Sequence, residues 1–403
     1  MATPRARAPL KLNTKLGPNH TIWLNMSGVR SIVVICSFLQ AVSVGATGHL
    51  DVPTYVIDLD KDPHDRYNQV VLDKANGFND TVWEFYDRYF AKDPILTDVL
   101  YGISAKRGNE NAEMQAEVQG YADISRLPFK FVKAIQMLYE LQTLMVPIVN
   151  FSHHQGLPGD FNVSGLADEI PDGFEALQRI PWRGPGCTGI IAKCEDGTVW
   201  HARNLDFAPL SIMNKLVWNG IFQKGGNEVF RAQMVAGYTM ATTGMRMGPN
   251  GFAIERNTRY TDHFGGNLKM LRNLMGGREL NGWHIRKALE TQPDYESAVA
   301  FLESVPYVST EYTIISGAQK GCVISRDPDG VAFRQVLGRD NPEERSDYII
   351  ITNFDFFYRD VREWFDPTGH GGFGKPRYQT FIGLQLPCLS RPVPLSCSHL
   401  IAP

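Results

Sequence analysis

The spacing of apolar residues changes once along the chain, at Cys187, and this change limits the fold more than any other feature. Between residues 61 and 150, apolar side chains recur three and four positions apart, which predicts amphipathic helices. From Cys187 onward, short β-branched runs alternate with turn residues, which predicts strands of a mostly antiparallel sheet. Two helical patterns, at about 266–276 and 283–304, lie among these strands. Helices followed by strands with further helices predict an α+β fold.

Eight runs are predicted as strands, and in chain order they read CTGIIAKC, TVWHARNLDF, EVFRAQMVAGY, GFAIERN, YTIISGA, GCVISRD, GVAFRQVL and DYIIITNFD. The stretch between Asn150 and Gly186 is rich in Gly, Pro, Asp and His, which predicts an exposed linker before the first strand. The chain therefore divides into a leader (1–46), a mostly helical segment with its linker (47–186), a strand-rich segment (187–380) and a Pro/Cys/Ser-rich tail (381–403).

The leader has the features of a secretory signal. The apolar run SIVVICSFLQAVSVGA (31–46) follows Arg30 and ends in small residues at the spacing of a signal-peptidase site. A membrane span needs about 20 apolar residues, so this run is too short. A signal that begins at Met26 is better proportioned than one that begins at Met1, and residues 1–25 are interpreted as an upstream extension. The alternative is a buried helix or a signal anchor.

The charge of the chain argues against a nucleic-acid partner. The 403 residues have a net charge of -3, but the first 50 contain basic residues and no acidic ones. The remaining 35 basic and 43 acidic residues give the rest of the chain a charge of -8. Affinity for nucleic acids comes largely from Lys and Arg on phosphates, which a mildly acidic body does not provide.

If the chain is secreted, its cysteines can pair and its three Asn-X-Ser/Thr triplets can be glycosylated. One of the six cysteines lies in the leader, which leaves an odd number and therefore at least one unpaired thiol. No C-x-x-C pair occurs, so no metal site is predicted, and nothing indicates an organic cofactor. The triplets at Asn79, Asn150 and Asn162 are candidate glycosylation sites.

One predicted hairpin brings together an unusual set of polar side chains. The dipeptide Asp196-Gly197 is typical of a two-residue loop between the first two strands. In that register Cys187 lies directly opposite Asp206, with Asn204 on the same face. Arg203 then falls on the other face and reaches the sulfur only through a bulge.

The predicted pairing of Cys187 with Asp206 indicates a cation between them. A carboxylate next to a thiol disfavours the thiolate, so it suits a lone nucleophile poorly. A free α-amino group on Cys187 would accept the thiol proton and would be held by Asp206. Such an amine requires cleavage of the bond between Gly186 and Cys187, directly after the predicted linker. The sequence therefore predicts a proenzyme with an N-terminal cysteine nucleophile.

The run CTGIIAKCEDGTVWHARNLDF resembles the start of the catalytic subunit in the family of acid ceramidase and N-acylethanolamine-hydrolysing acid amidase. The resemblance continues through FRAQMVAGYTMATTGMRMGPNGFAIERNTR, ALETQPDYESAVAFLESVPYVSTEYTIISGAQKGCVISRDPDG and IITNFDFF. It covers about residues 52–360 and is stronger from Cys187 onward. It implies an N-terminal nucleophile hydrolase with an αββα sandwich, preceded by a helical α-subunit and cut by itself in an acidic compartment such as the lysosome.

The resemblance also implies roles for single residues. Cys187 would be the nucleophile and new N-terminus, with Gly186 on the other side of the cut. The remaining positions that match the family's site are Arg203 and Asp206 for orienting the amine and the substrate carbonyl, Asn353 for holding the oxyanion, Asn257, and more loosely Arg377 and Asn204. The sequence departs from the family at Thr258, where the relatives have Glu, and after GGFGKPRYQTF, where the likeness ends.

The implied reaction is hydrolysis of a fatty-acyl amide, such as an N-acylethanolamine or ceramide, to fatty acid and amine through a Cys187 thioester. The implied partners are a lipid amide substrate, a membrane surface or lipid-presenting helper protein, and α and β subunits made from one precursor. Bile-salt or penicillin-type amides are alternative substrates of the same fold. Two other classes are an inactive, uncleaved lipid-binding form and a thiol protease that uses His153, His154 or His201.

Overall fold

The structure is a computed structural model that describes residues 22–23, 31–36, 52–106, 111–151, 186–194, 196–206, 210–260, 267–338 and 347–353. For Asn150, Gly186 and Asp206 it describes the backbone alone. Most of the predicted linker and the whole tail lie outside the described residues, and so do Asn162 and Arg377.

Helices fill most of the described chain before Cys187, as the spacing of apolar residues predicts. Within the described ranges the α-helices are α1 (Asn68–Leu72), α2 (Phe78–Tyr89), α3 (Pro94–Ala105), α4 (Ala112–Ser125), α5 (Phe129–Ile135), α6 (Leu138–Phe151), α7 (Leu210–Met213), α8 (Asn267–Met275), α9 (Asn281–Thr291) and α10 (Tyr295–Ser304). Two short 3-10 helices, Pro63–Asp65 and Lys74–Asn76, flank α1. Asp93 and Asn111 cap α3 and α4 with their side-chain oxygens, which satisfies N–H groups that a helix leaves unpaired.

The strands form two sheets. They are β1 (Ile22–Trp23), β2 (Ser31–Cys36), β3 (Thr54–Asp58), β4 (Gly186–Lys193), β5 (Val199–Asp206), β6 (Val217–Lys224), β7 (Asn227–Val235), β8 (Thr243–Arg246), β9 (Ala253–Thr258), β10 (Glu311–Gly317), β11 (Lys320–Asp327), β12 (Gly330–Val336) and β13 (Tyr348–Ile351). The large sheet has the order β12-β11-β10-β9-β8-β7-β6-β3, and the small sheet has the order β1-β2-β5-β4-β13. Strand pairs are antiparallel except β3–β6 and β2–β5, which are parallel.

The α+β prediction is confirmed, and all eight predicted strands are present. The two predicted helical patterns among the strands are also confirmed, although the second is divided into α9 and α10 before Asp294, which caps α10. The sequence patterns do not predict β3, β6 and β8. Strand β6 contains Asn219-Gly220, which alone indicates a turn. Its side chains nevertheless alternate in burial, and it pairs with β7 along its length, so sheet pairing overrides the local signal.

The two sheets pack face to face, and helices cover the outer face of the large sheet. Ile191 of the small sheet and Ile314 and Val323 of the large sheet belong to one apolar cluster between the sheets. On the outer face, a Cβ added at Gly244 of β8 would lie 2.4 Å from a methyl group of Leu289 in α9. The described residues therefore form the order helix, sheet, sheet, which is three layers of the implied αββα sandwich.

Part of the predicted leader lies in the small sheet. Strand β2 pairs with β5 from Ser31, opposite Val199, to Cys36, opposite Asn204. The β2–β5 pairing requires a chain that retains residues 31–36. Removal of a signal peptide would remove β2, and the signal stays a prediction. Among the described residues, no helix is both long enough and apolar enough to cross a membrane.

Candidate active site

The β4–β5 hairpin closes through a three-residue loop and not through the predicted two-residue loop. The N–H of Cys194 donates to the carbonyl oxygen of Thr198 at 2.8 Å, so these two residues close the loop. The N–H of Gly197 donates back to the carbonyl oxygen of Cys194 at 2.9 Å. Gly197 has a φ of +82°, a left-handed conformation that glycine adopts without strain and that is typical of three-residue hairpin loops. Cys194 is disulfide-bonded.

The extra loop residue shifts the strand register by one position. Cys187 lies opposite Leu205, and Asp206 lies opposite Gly186. The predicted pairing of Cys187 with Asp206 is therefore wrong, because it assumed a loop that is one residue shorter. A shift of one residue moves every side chain of one strand to the other face relative to its partner.

The shift changes which side chains share a face with Cys187. Arg203 lies opposite Gly189, two positions along β4 from Cys187, and so it faces the same side without a bulge. Asn204 lies opposite Thr188, on the other side. The predictions that Arg203 needs a bulge and that Asn204 lies beside the sulfur are both wrong, for the same reason.

Cys187 has a free thiol and is 1% exposed, which confirms the predicted unpaired thiol. Its Sγ lies 3.8 Å from Nη2 of Arg203 and 3.7 Å from the hydroxyl oxygen of Tyr139. Its backbone N–H donates to Oδ1 of Asn353 at 2.8 Å. The sulfur therefore faces a cation and a hydroxyl group, while a side-chain amide binds the backbone nitrogen.

Asn353 follows β13 and is fully buried, with both ends of its amide in use. Its Nδ2 donates to the carbonyl oxygen and to the hydroxyl oxygen of Thr258, each at 2.8 Å. Its own carbonyl oxygen accepts a hydrogen bond from the N–H of Tyr260 at 2.7 Å. The departure from the family at Thr258 thus lies in direct contact with Asn353. These bonds turn the amide oxygen of Asn353 toward the nitrogen of Cys187.

Arg203 is 2% exposed and is held by oxygens of the large sheet. Its Nη1 donates to the carbonyl oxygen of Thr242 at 2.7 Å and to the hydroxyl of Thr243, and its Nη2 donates to the carbonyl oxygen of Arg256. Burial disfavours the charge, but the neighbouring thiol, phenol and carboxyl groups outweigh it and raise the pKa of Arg203 above its usual value. A permanent cation next to a thiol favours the thiolate.

A buried carboxylate, Glu255 of β9, lies behind Arg203. Its Oε2 is 3.9 Å from Nε of Arg203, and its Oε1 is 3.6 Å from Nε2 of His201. These distances are too long for hydrogen bonds, and within the described part of the chain none of the four atoms has another hydrogen-bond partner. The room for this carboxylate comes from Gly189, where an added Cβ would lie 1.9 Å from Oε1 of Glu255.

The described residues do not form a cysteine–histidine pair. His201 lies on the same face as Cys187, but its Nδ1 is 2.8 Å from the hydroxyl of Ser316 and its Nε2 faces Glu255. His153 and His154 lie outside the described residues. A thiol protease would need the imidazole ring of His201 next to Sγ of Cys187, but that ring contacts Ser316 and faces Glu255 instead.

Sequence reasoning missed Tyr139 and the ion network beside it. The run MLYELQTLM belongs to the helical pattern between residues 61 and 150, in which a tyrosine looks like any other core residue. Tyr139 of α6 is buried, yet its hydroxyl reaches the sulfur and donates to the carbonyl oxygen of Arg256 at 2.8 Å. The Arg256 guanidinium lies 4.0 Å above the Tyr139 ring. We call Arg256, Glu140 and Glu311 the Arg256 network, because Nη2 of Arg256 binds both carboxylates. Glu140 could have indicated this network from the sequence, because an acidic residue within an apolar helical run is rarely buried without a partner.

In the Arg256 network two buried carboxylates share one arginine. Asn281 supports both of them: its N–H lies 3.2 Å from Oε1 of Glu140, and its Nδ2 lies 3.1 Å from Oε2 of Glu311. Burial, with added repulsion from Glu140, raises the pKa of Glu311 to about 7, although Arg256 opposes the rise. The network therefore binds a proton as the pH falls from neutral to acidic.

An apolar pocket lies close to Cys187, whose sulfur is 3.7 Å from the hydroxyl of the pocket-lining residue Tyr139. Leu205, which lies opposite Cys187, and Tyr139 line it at the end nearest the sulfur. The helices before Cys187 and the strands and loops after it both contribute to its wall, which includes Val82, Phe85, Leu138, Met213 and Val235. The pocket is thus built from both sides of the predicted cut.

The other predicted positions are placed as follows. Asn257 is fully buried in β9 opposite Tyr312, and its Nδ2 lies 3.5 Å from the carbonyl oxygen of Thr352. Asn79 lies in the first turn of α2 and Asn150 in α6, and their glycosylation stays a prediction. Among the described residues, no group of His, Cys, Asp and Glu side chains could hold a metal ion.

Comparison with known proteins gives consistent matches. A family model described as the beta subunit of N-acylethanolamine-hydrolyzing acid amidase matches residues 51–95. Acid ceramidase of Homo sapiens is 25% identical over 343 residues, which are 79% of this chain and 75% of that protein. The N-acylethanolamine-hydrolyzing acid amidase of Caenorhabditis elegans is 26% identical over 303 residues, 75% of this chain and 74% of that protein. A solved structure of the Caenorhabditis elegans ortholog of that amidase matches at a TM-score of 0.37 and 26% identity, covering 45% of this chain and 76% of that one.

Proposed function

On the premise that the chain is a relative of acid ceramidase and N-acylethanolamine-hydrolysing acid amidase, we propose that it is a self-processing amidase of fatty-acyl amides. The matches over three quarters of the chain confirm the resemblance that the motifs indicate. One observation carries the proposal. The Cys187 sulfur lies beside Arg203 and its nitrogen is bound by Asn353, close to an apolar pocket that Tyr139 and Leu205 line.

The first step is cleavage of the bond between Gly186 and Cys187. The Cys187 thiolate attacks the carbonyl carbon of Gly186, the C–N bond breaks, and the nitrogen takes a proton and becomes a free amine. Water then hydrolyses the resulting thioester, which releases the Gly186 carboxylate and regenerates the thiol. Arg203 favours the thiolate in this step, because it places a positive charge 3.8 Å from Sγ.

The same sulfur then acts on the substrate amide. The free amine of Cys187 takes the thiol proton and delivers it to the leaving amine, while the sulfur forms a thioester with the acyl group. Asn353 is suited to holding the Cys187 amine, because its Oδ1 already accepts from that nitrogen at 2.8 Å. Its Nδ2 is occupied by Thr258, so backbone N–H groups are the better source of oxyanion stabilisation, typically worth about 10²–10³ in rate per donor.

The apolar pocket supports an acyl chain as the part of the substrate that is recognised. The apolar wall suits a hydrocarbon better than a bile-salt headgroup or a penicillin. Because residues on both sides of the cut form the pocket wall, the two products of processing stay together as α and β subunits. Arg203 and Asp206 are proposed to orient the amine and the substrate carbonyl, as the resemblance implies. Asn257 is proposed as a further residue of the site.

An acidic compartment such as the lysosome is the proposed location. Uptake of a proton by the Arg256 network near neutral pH is consistent with a protein that works in acid. A membrane surface or a lipid-presenting helper protein would deliver the substrate, since fatty-acyl amides are poorly soluble in water.

The test is to express the chain from Met26 in a secretory host, incubate it in acid and sequence the N-termini of the products. We expect a new N-terminus at Cys187, followed by release of fatty acid from an N-acylethanolamine or a ceramide. Cys187→Ala should abolish both. Cys322→Ala removes the second free buried thiol among the described residues and should leave both intact.

The second candidate is an uncleaved lipid-binding form, favoured by Thr258 at the position of the family's Glu. That form would remain one chain in acid, would release no fatty acid, and would still bind a fluorescent fatty-acyl amide. A whole chain with bound lipid would replace the amidase proposal by this one.

A further inference from the structure

We propose that Tyr139 is a catalytic residue whose hydroxyl donates a hydrogen bond to the Cys187 thiolate. The inference deepens the proposed function, since it rests on Cys187 as the nucleophile. It also implies that the helical segment before the cut supplies a group that touches the reacting sulfur. After processing, both subunits would then be needed for a competent nucleophile.

The hydroxyl of Tyr139 is placed between two acceptors. It donates to the carbonyl oxygen of Arg256 at 2.8 Å and lies 3.7 Å from Sγ of Cys187. Rotation about the C–O bond redirects its proton from the carbonyl to the sulfur. The carbonyl keeps a partner when this happens, because Nη2 of Arg203 also donates to it. The exchange therefore leaves no buried acceptor unpaired, which would otherwise be costly.

The ring of Tyr139 is fixed by the Arg256 network. The Arg256 guanidinium lies 4.0 Å from the ring centre, a distance at which cation and ring attract. Arg256 cannot move freely, because Glu140 and Glu311 both bind its Nη2. Glu140 is the residue next to Tyr139 in α6, so the same turn of helix carries the hydroxyl and its support.

Tyr139 keeps its proton throughout the working range of pH. Complete burial, with the repulsive effect of a negative Cys187, raises the pKa of Tyr139 well above its usual value. A neutral donor stabilises the thiolate without adding a second cation beside Arg203. Among the described polar groups, the guanidinium of Arg203 and the hydroxyl of Tyr139 lie within hydrogen-bonding reach of the sulfur. Glu255 lies on the far side of Arg203, and the charges of the Arg256 network lie on the far side of Tyr139.

The experiment measures thiolate formation directly in the uncleaved or the processed protein. Ultraviolet thiolate absorbance is recorded against pH, and the spectrum of Cys187→Ala is subtracted. Tyr139→Phe removes only the hydroxyl, and we expect the pH midpoint of the Cys187 signal to rise by about one to two units, the usual worth of a hydrogen bond to a charged group. The matched control is Tyr121→Phe, which removes a phenolic oxygen from a side chain equally buried at 2% exposed. That midpoint should not move.

A second variant excludes a merely structural explanation. Replacing Tyr139 by 3,5-difluorotyrosine keeps the ring and makes the hydroxyl a stronger donor, so the midpoint should fall below that of the wild type. In the processed enzyme, kcat should drop about tenfold or more for Tyr139→Phe. An unchanged midpoint in Tyr139→Phe, or equal shifts in Tyr139→Phe and Tyr121→Phe, would overturn the proposal.

The two proposals fail in different ways. If the wild-type chain neither cuts itself nor releases fatty acid, the amidase proposal fails, but the titration of the uncleaved chain still decides whether Tyr139 binds the thiolate. If the wild type is active and the Tyr139→Phe midpoint stays in place, only the role of Tyr139 is lost.

Discussion

Two buried ion clusters of this molecule have opposite stoichiometry. In the helical segment, the carboxylate of Glu117 lies between two arginines, 2.8 Å from Nη1 of Arg66 and 2.7 Å from Nη2 of Arg286. The Arg256 network instead has one arginine between two carboxylates. The opposite ratio holds for the fully buried carboxylates, one between two arginines in the first cluster and two on one arginine in the second. The first cluster has two further carboxylates, Glu113 on Arg66 and Glu290 on Arg286, and both are partly exposed.

The difference teaches how neighbouring charges act on a buried carboxylate. Burial raises the pKa of both Glu117 and Glu311, but two arginines oppose the rise at Glu117, while a second carboxylate adds to it at Glu311. Glu117 joins the helices to the rest of the protein through two cations that keep their protons at any pH a protein meets. Glu311 takes up a proton as the pH falls through about 7, so the Arg256 network changes charge there.

The largest effect is expected at the Glu117 cluster. Glu117→Leu leaves two arginines in the core without their shared partner, and removing one member of a buried ion pair typically costs about 3–5 kcal/mol. Urea unfolding at pH 7 should show this loss. A loss no larger than that of an exposed ion pair would contradict the role of Glu117 in joining the two arginines.

The control for that experiment is an exposed pair. Glu84→Gln breaks the ion pair between Glu84 and Arg88 on the surface of α2, where both side chains are more than 40% exposed. Such pairs contribute about 0–1 kcal/mol, so the midpoint of urea unfolding should hardly move.

A smaller and pH-dependent effect is expected at Glu311. Its pKa in the folded protein is about 7, above the ordinary value of 4.5, so the folded state holds the proton more tightly than the unfolded state. Its stabilising contribution is full below about pH 4.5 and is lost as the pH rises through about 7, a change of about 3 kcal/mol. Glu311→Gln imitates the protonated form. The free energy of unfolding of the wild type, minus that of the variant, should therefore decrease as the pH rises.

The measurement for Glu311 is urea unfolding of both proteins at several pH values between 4 and 8. A difference that stays constant over this range would show that the Arg256 network binds no proton there. Glu296→Gln, at an exposed ion pair with Lys320, is the matched control for an acid-to-amide change.

The smallest effect is expected at Glu255, whose carboxylate lies 3.6 Å from His201 and 3.9 Å from Arg203, too far for hydrogen bonds. Gly189→Ala places a methyl group 1.9 Å from the present position of Oε1 of Glu255, and overpacking of this kind costs about 1–3 kcal/mol. The cost should shrink when Glu255→Ala is made in the same chain, because the conflicting atoms are gone. Additive losses in the double variant would mean that the two residues do not meet.

The fold class and eight of the strands follow from the sequence, because alternation and β-branching are local signals. DYIIITNFD and GCVISRD are long enough to predict strands alone. The register of the β4–β5 hairpin does not follow, because the Asp196-Gly197 signal fits loops of two or three residues, and Cys194 decides between them by pairing with Thr198. That single residue determines the face on which Arg203 and Asn204 lie.

The candidate site was predictable only in part. Cys187 and Asn353 come together as the motifs predict, at a hydrogen bond of 2.8 Å. Tyr139 lies 48 positions before Cys187, and no periodicity distinguishes a tyrosine that supports a helix core from one that reaches a sulfur across the fold. The partners of Arg256 are equally distant along the chain, so only the folded structure brings them together.

Strand β3 has a consequence for how this protein must be made. It comes from residues 54–58, before the proposed cut, yet it forms the last strand of the large sheet and hydrogen-bonds in parallel to β6. A downstream half synthesised alone would expose the edge of β6 that pairs with β3, since β7 covers only the opposite edge, and open edges recruit other strands. If the segments before and after the proposed cut were produced separately, the second would therefore aggregate or take up strands of other molecules. Synthesis as one polypeptide supplies β3 within the same chain before the bond between Gly186 and Cys187 is cut.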